Sequence, residues 1–185
     1  PVPPRATCRN GPLSRPQART MPEGPVAVSS VAGLDPSHGR LALYIGVFDG
    51  LHRGHEQLLG ELVRQAEAWG ARPAVITFDA HPDEVLKGEA PPLLLDPVDR
   101  LELLGAAGIE LVVVEHFDHR LRTTPYDAFV REIAGRVDLA GFVMTPGAAF
   151  GFERRGTPEA VAGLGGQVGY HVVVVPPRLV DGQPV

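Results

Sequence analysis

The sequence predicts an α/β domain built on a doubly wound, five-stranded parallel sheet with helices on both faces. Three observations carry that prediction. From residue 41 onward, short aliphatic runs alternate with amphipathic helical patterns. The runs are nearly continuous rather than alternating polar and apolar, as in strands covered on both sides. A repeated strand–helix–strand order returns each strand parallel to the last through right-handed crossovers, which winds helices onto both faces.

The first strand is read from Leu41 to Val47. In the helix that follows, Leu58, Leu59, Leu62, Val63, Ala66 and Trp69 share one stripe before Gly70 stops it. Pro73 to Phe78 is the second strand. After a long loop, Asp96-Pro97-Val98-Asp99 has the form of an N-cap with proline at the first helical position, so a helix is expected with Val98, Leu101 and Leu104 inward. Ile109 to Val114 is the third strand. Thr124-Pro125-Tyr126-Asp127 is expected to open a helix in the same way, with Phe129, Val130 and Ile133 on its apolar face. Phe142 to Met144 is the fourth strand, Thr157-Pro158-Glu159 caps a last, glycine-weakened helix, and His171 to Val175 is the fifth strand.

Residues 1–40 follow no such rhythm. Prolines 1, 3, 4, 12, 16, 22, 25 and 36 fall among Arg, Ser and Gly, which predicts a proline-rich flexible N-terminal tail, with Met21 as a candidate start. The alternative is that Val26 to Val31 adds a short strand at the sheet edge.

Composition narrows the partners. Seventeen basic against 22 acidic residues leave a net charge of −5 with no Lys/Arg-rich run, which argues against a nucleic-acid footprint. Cys8 is the only cysteine, which excludes an intrachain disulfide and a cysteine-rich zinc site and fits a reducing cytoplasm. The longest aliphatic runs, such as Val172 to Val175, fall far short of the roughly 20 residues a membrane span needs.

In an open parallel sheet, ligands bind beyond the carboxyl ends of the strands. The distinctive loops all lie there: Phe48 to His55, Asp79-Ala80-His81-Pro82, and Thr145 to Gly156, with His171 alone on the other side. The segment Gly46-Val47-Phe48-Asp49-Gly50-Leu51-His52-Arg53-Gly54-His55 ends a strand and opens a helix, whose N-terminus offers unpaired N–H groups to an anion. Gly46, Gly50 and Gly54 allow close approach of the backbone, and His52 and His55 can donate to phosphoryl oxygens. Asp49 reads either as a turn-holding side chain or as a functional one, and Arg53 faces solvent or phosphate. The spacing of the two histidines also occurs in half of a metal site, but the turn favours phosphate, and no metal ligand is assigned. His116 and His119 are read as surface residues of a wet loop.

The H-x-G-H core of this segment resembles the signature of the nucleotidylyltransferase superfamily, a Rossmann-like fold. Its longer form, G-x-F-D-G-x-H-x-G-H, resembles the adenylyltransferase domain of prokaryotic FAD synthetases. The resemblance spans residues 41–185. Thr77-Phe78-Asp79-Ala80-His81-Pro82 is similar to the family's T-F-[DE]-P-H-P except at Ala80, and Gly147-Ala148-Ala149-Phe150-Gly151-Phe152 to G-x-[ND]-F-x-F-G except at Ala149 and at the following Glu153. The resemblance implies ATP as nucleotidyl donor, FMN as acceptor, Mg²⁺ on the triphosphate, and FAD as product. It implies catalytic roles for His52 and His55, nucleotide contacts from Gly46, Phe48, Asp49, Gly50 and Gly54, and flavin contacts from Phe78, His81, Pro82, Phe150 and Phe152.

Family sequences continue past an aspartate–glycine turn into S-S-T-x-[IV]-R, whereas this sequence stops at Asp181-Gly182-Gln183-Pro184-Val185, without that motif or a riboflavin kinase domain. The expectation is therefore an FMN adenylyltransferase domain in truncated or minimal form. Two alternatives stand beside it: a nucleotidylyltransferase with another phosphorylated acceptor, and a non-catalytic nucleotide- or flavin-binding module.

Overall fold

The computed structural model describes residues 24–88 and 94–176, with the backbone of 179–180 and 183–184. Six strands form one parallel sheet: β1 (Val26–Val28), β2 (Arg40–Ile45), β3 (Arg72–Phe78), β4 (Leu111–Glu115), β5 (Asp138–Met144) and β6 (His171–Val174). Their spatial order is β1-β4-β3-β2-β5-β6. Between β2 and β5 the order reverses, and a crevice opens there above the strands' carboxyl ends.

The five expected strands are present, and the sixth corrects the count. β1 runs parallel to β4, Val26 opposite Leu111 and Val28 opposite Val113. Residues 26–38, assigned to the tail, therefore belong to the fold. Short 3-10 turns at Val31–Gly33 and Pro36–His38 lead from β1 to β2, Val31 and Leu34 are buried, and the Val31 N–H donates to the buried Glu115 carboxylate. Residues 1–23, and with them Cys8 and Met21, lie outside the described residues. So does the Asp181-Gly182 turn, although β7 (Leu179–Val180) and β8 (Gln183–Pro184) pair antiparallel on either side of it.

Two apolar layers sandwich the sheet. On one face α1 (Arg53–Ala68) and α3 (Pro97–Ala106) bury Leu58, Leu59, Leu62, Ala66 and Leu104 against Ala42, Val75, Val112 and Val143. On the other, α5 (Tyr126–Ala134) and α6 (Pro158–Val168) bury Phe129, Val130, Ile133, Val161 and Leu164 against Leu43, Ile76, Val113 and Phe142. Successive strand residues point to opposite faces, so a nearly continuous aliphatic run supplies both layers.

Helix starts follow local capping chemistry. The Asp96 carboxylate accepts from the Val98 N–H and the Thr157 hydroxyl from Ala160, each with proline next in sequence. At Thr124 the expectation fails. Its hydroxyl donates back to the Arg120 carbonyl at the end of α4 (His119–Thr123), and Pro125 occupies the cap of α5. α3 is also rotated from its expected setting: Val98 is 61% exposed, while Arg100, one turn before Leu104, is buried. A further short helix, α2 (Asp83–Lys87), follows β3. No helix of the described residues is long and apolar enough to cross a membrane.

Candidate functional site

β2 ends at Ile45, and the chain turns sharply over Gly46–Leu51 before α1 begins. The turn is held from below. Phe48 takes a left-handed φ of 46°, uncommon for a bulky residue, and is compensated by complete burial of its ring (1% exposed) edge-on to Tyr44, centroids 5.4 Å apart. Thr77 at the end of β3 donates to the Val47 carbonyl at 3.0 Å. Asp49, instead of capping its own turn, accepts from the backbone N–H groups of Leu94 (2.6 Å) and Leu95 (3.3 Å) and so ties the turn to the approach of α3. Gly50, at φ 110°, completes a bend that a side chain would strain.

The two histidines follow from this frame. His52 is the N-cap of α1, and its Nδ1 accepts from the Gly54 N–H at 3.1 Å, so the proton of the neutral ring sits on Nε2. His55, one turn on, directs Nδ1 to the Gly50 carbonyl at 2.8 Å. A carbonyl only accepts, so Nδ1 carries the proton and Nε2 is left for a ligand. The rings lie 4.0 Å apart at 30°, with Phe48 5.0 Å behind His55. Burial, reinforced by His52, holds the His55 pKa below the usual histidine value, against the opposing hydrogen bond to Gly50. No described hydrogen bond uses the N–H groups of Arg53 or His55, and Arg53 is exposed on the first turn. Two imidazoles and a helix N-terminus thus converge, and an anion bound there would raise the affinity of His55 for its proton.

A cavity of about 260 Å³ opens beside them at the strand-order reversal, lined among others by Tyr44, His52, His55, Gln57, Thr145 and Pro176. The expected convergence of the loops after β2 and β5 is observed here. Among the described residues no group of three or more His, Cys, Asp and Glu side chains gathers as a metal site.

The loop after β3 lies further along the same edge. Phe78 is half-buried and meets Phe117 edge-on at 5.4 Å. His81 Nδ1 accepts from the Asp83 N–H, which fits the ring to the start of α2, with Pro82 as its cap. Exposed His116 pairs with Asp79 at 2.6 Å, and that carboxylate raises its pKa. In the loop after β5 the two phenylalanines part company: Phe150 packs between Phe129 (6.2 Å) and Phe142 (6.1 Å), while Phe152 is 41% exposed. Gly151 and Gly156 clamp Tyr126, whose atoms lie within 2.7 Å of where either Cβ would stand. Arg154 reaches the Gly147 carbonyl, and Arg155 pairs with Glu153. His171, at the opposite end of the sheet, stacks on Trp69 at 5.6 Å.

Arg100 was not anticipated. It is 3% exposed, and its Nη1 donates to the Phe78 carbonyl (2.7 Å) and approaches the Thr77 hydroxyl (3.5 Å), which itself holds Val47. A guanidinium thus underlies both the histidine turn and the Thr77–Pro82 segment. The available signal was its i,i+4 relation to Leu104 on a helix otherwise assigned its inward face from Val98.

A family model described as FAD synthetase matches residues 34–185. The chain is 32% identical over 106 residues to a bifunctional riboflavin kinase/FMN adenylyltransferase of Pseudomonas fluorescens, a match covering 57% of this chain and 34% of the relative. It is 34% identical over 92 residues to the protein of the same description in Haemophilus influenzae, covering 49% and 30%. The matched part amounts to about a third of the length of these relatives. Among solved structures, one described as a macrolide-efflux protein from Streptococcus pneumoniae superposes with a TM-score of 0.69 at 20% identity, over 86% of this chain and 53% of that one. A pantoate-beta-alanine ligase from Francisella tularensis follows at TM-score 0.55 and 10% identity, over 87% and 70%. At those identities the likeness is one of fold.

Proposed function

The chain belongs to the FAD synthetase family, and from that premise we propose that it carries FMN adenylyltransferase chemistry: transfer of AMP from ATP to the phosphate of FMN, giving FAD and pyrophosphate. The observation that carries the proposal is the pair of adjacent imidazoles, 4.0 Å apart, at the N-terminus of α1, facing one cavity at the strand-order reversal.

A phosphate oxygen of FMN attacks the α-phosphorus of ATP. A new P–O bond forms as the bond to the β-phosphate oxygen breaks, and the electron pair leaves on pyrophosphate. Charge gathers on the equatorial oxygens, so positioning and electrostatic stabilisation make up most of the catalysis. His52 meets that charge with its Nε2–H, His55 with Nε2 once protonated, and the first turn of α1 with its free N–H groups. Gly46, Phe48, Asp49, Gly50 and Gly54 shape the nucleotide turn. Mg²⁺ arrives as part of the MgATP substrate. On the flavin side we place Phe78, His81, Pro82 and exposed Phe152, with Phe150 bracing the loop from the core. The partners are these two small molecules, with neither nucleic acid nor membrane, and the setting is the cytoplasm.

The test is FAD formation from FMN and MgATP by this chain and its His52→Ala/His55→Ala variant, read by chromatography. Formation that is lost in the double variant supports the proposal. Activity undiminished in the variant would remove the histidines from the mechanism. Consumption of ATP with another phosphorylated acceptor, but not with FMN, would correct the acceptor and leave the transfer chemistry in place. Nucleotide binding with no transfer to any acceptor would mark a binding module.

A further inference from the structure

Tyr44 stands in the cavity wall with His52 and His55, yet neither the histidine motif nor the flavin loops include it. Its placement is specific. The ring lies over Gly46, where an added Cβ would come within 2.6 Å of Tyr44 Cε1, so Gly46 makes room for this phenol as well as for the turn. Phe48 supports the same ring edge-on. Tyr44 lies at the end of β2, and across the strand-order reversal Thr145, which follows β5, lines the same cavity. Burial raises the phenol's pKa, more than the nearby Thr145 lowers it; Tyr44 therefore keeps its proton and remains a donor at neutral pH.

Each of the two hydroxyls has one proton to donate. Thr145 otherwise engages its backbone carbonyl, with Ala148, and both side chains line the cavity that His52 and His55 border. We propose that Tyr44 and Thr145 form a phosphate-binding element of this site, donating from their hydroxyls to a non-bridging oxygen of the nucleotide that His52 and His55 hold. The inference rests on the nucleotide reading above and adds hydroxyl donors to it, from the β2–β5 side of the cavity opposite α1. A ring retained solely for packing would need Gly46 and Phe48 but no place in a cavity wall beside two imidazoles.

The test is calorimetric titration of the chain with MgATP, magnesium pyrophosphate and adenosine, for wild type, Tyr44→Phe and Thr145→Val. Both substitutions delete an oxygen while keeping most of the side chain's shape, and thermal melting reports whether the fold is kept. Pyrophosphate and ATP affinities are expected to fall about 10-fold in Tyr44→Phe, in the range for a hydrogen bond to a charged group. A smaller drop is expected in Thr145→Val, and adenosine affinity should be unchanged in both. Unchanged pyrophosphate affinity in folded Tyr44→Phe overturns the proposal, as does a loss confined to adenosine. If Tyr44→Phe fails to fold, Thr145→Val decides alone by the same criteria. Wild-type protein that binds neither ATP nor pyrophosphate would instead overturn the nucleotide reading itself, and the proposal with it.

Discussion

In the turn after β2, the one non-glycine residue in left-handed backbone is Phe48, which is buried and packed on both sides. In the loop after β5, the left-handed non-glycine residues are Glu153 (φ 53°) and Arg154 (φ 55°), and both are exposed. Both loops border the same crevice, but their strain is held differently. Burial, Thr77 and Asp49 over-determine the first turn, so its histidines are presented in one geometry. Two glycines and the Tyr126 clamp fasten the second at its ends and leave Phe152 free at the crest. Phosphate chemistry needs fixed donors, whereas a flat aromatic ring can be met by a side chain that adjusts.

Substitutions in the two loops should therefore fail in different ways. Replacing His52 and His55 together by alanine should lower the rate of FAD formation by at least about 1000-fold, since removal of one such donor commonly costs about 100- to 1000-fold; stability should change little because His52 is exposed. Arg100→Ala should act on the frame. The Phe78 carbonyl loses its partner and a cavity opens under the turn, at a cost of about 2–4 kcal/mol, seen as a melting temperature several degrees lower. Phe152→Ala should raise the KM for FMN about 10-fold through lost stacking, of order 1–3 kcal/mol per ring, with ATP binding unchanged. A comparable loss of ATP binding would show that the two loops are not independent.

Two smaller effects complete the contrast. Glu153→Gly should stabilise the protein by about 0.5–1 kcal/mol, because relief of roughly 1–2 kcal/mol of left-handed strain exceeds the entropic cost of glycine. The exposed pair with Arg155 gives up little in exchange, and chemical denaturation would read the difference. For His55, whose pKa is depressed in the free protein, the unfolded chain takes up its proton first as pH falls through about 6.5. The stabilising contribution is thus complete above that pH and is lost below it. Phosphate reverses the sign: bound anion favours the imidazolium, so nucleotide binding should take up a fraction of a proton and tighten as pH falls from about 8 to 6. Calorimetry in buffers of different ionisation enthalpy measures that uptake, and His55→Gln should abolish it.

Features with a local cause were legible in the sequence. The caps at Asp96 and Thr157, the stop at Gly70 and the stripe of α1 all express short-range rules that hold whatever the tertiary fold. Features settled by packing were not. β1 has three residues, too few for a period, and exists because β4 offers it an edge. Val98 fits a helical stripe as well as Arg100 does, and only the carbonyl of Phe78, 22 residues away in sequence, decides which turns inward. Thr124 could cap the helix after it or close the helix before it; the proximity of the Arg120 carbonyl selects the second. Tyr44 and Thr145 meet in one cavity wall although about a hundred residues separate them, and no local pattern around either discloses it.

The strand at Val26–Val28 has a consequence for where this domain can be cut. The match to the family model starts at residue 34, and a protein produced from that residue would lack β1 together with the Val31 N–H that occupies the Glu115 carboxylate. β4 would then become the outer strand, with the ladder groups of Leu111 to Val113 open and flanked by an aliphatic run. Such an edge is a template for pairing with a second molecule. A boundary drawn by similarity can therefore fall inside a cooperative unit, and here the few residues upstream of it are the ones that cover the β4 edge.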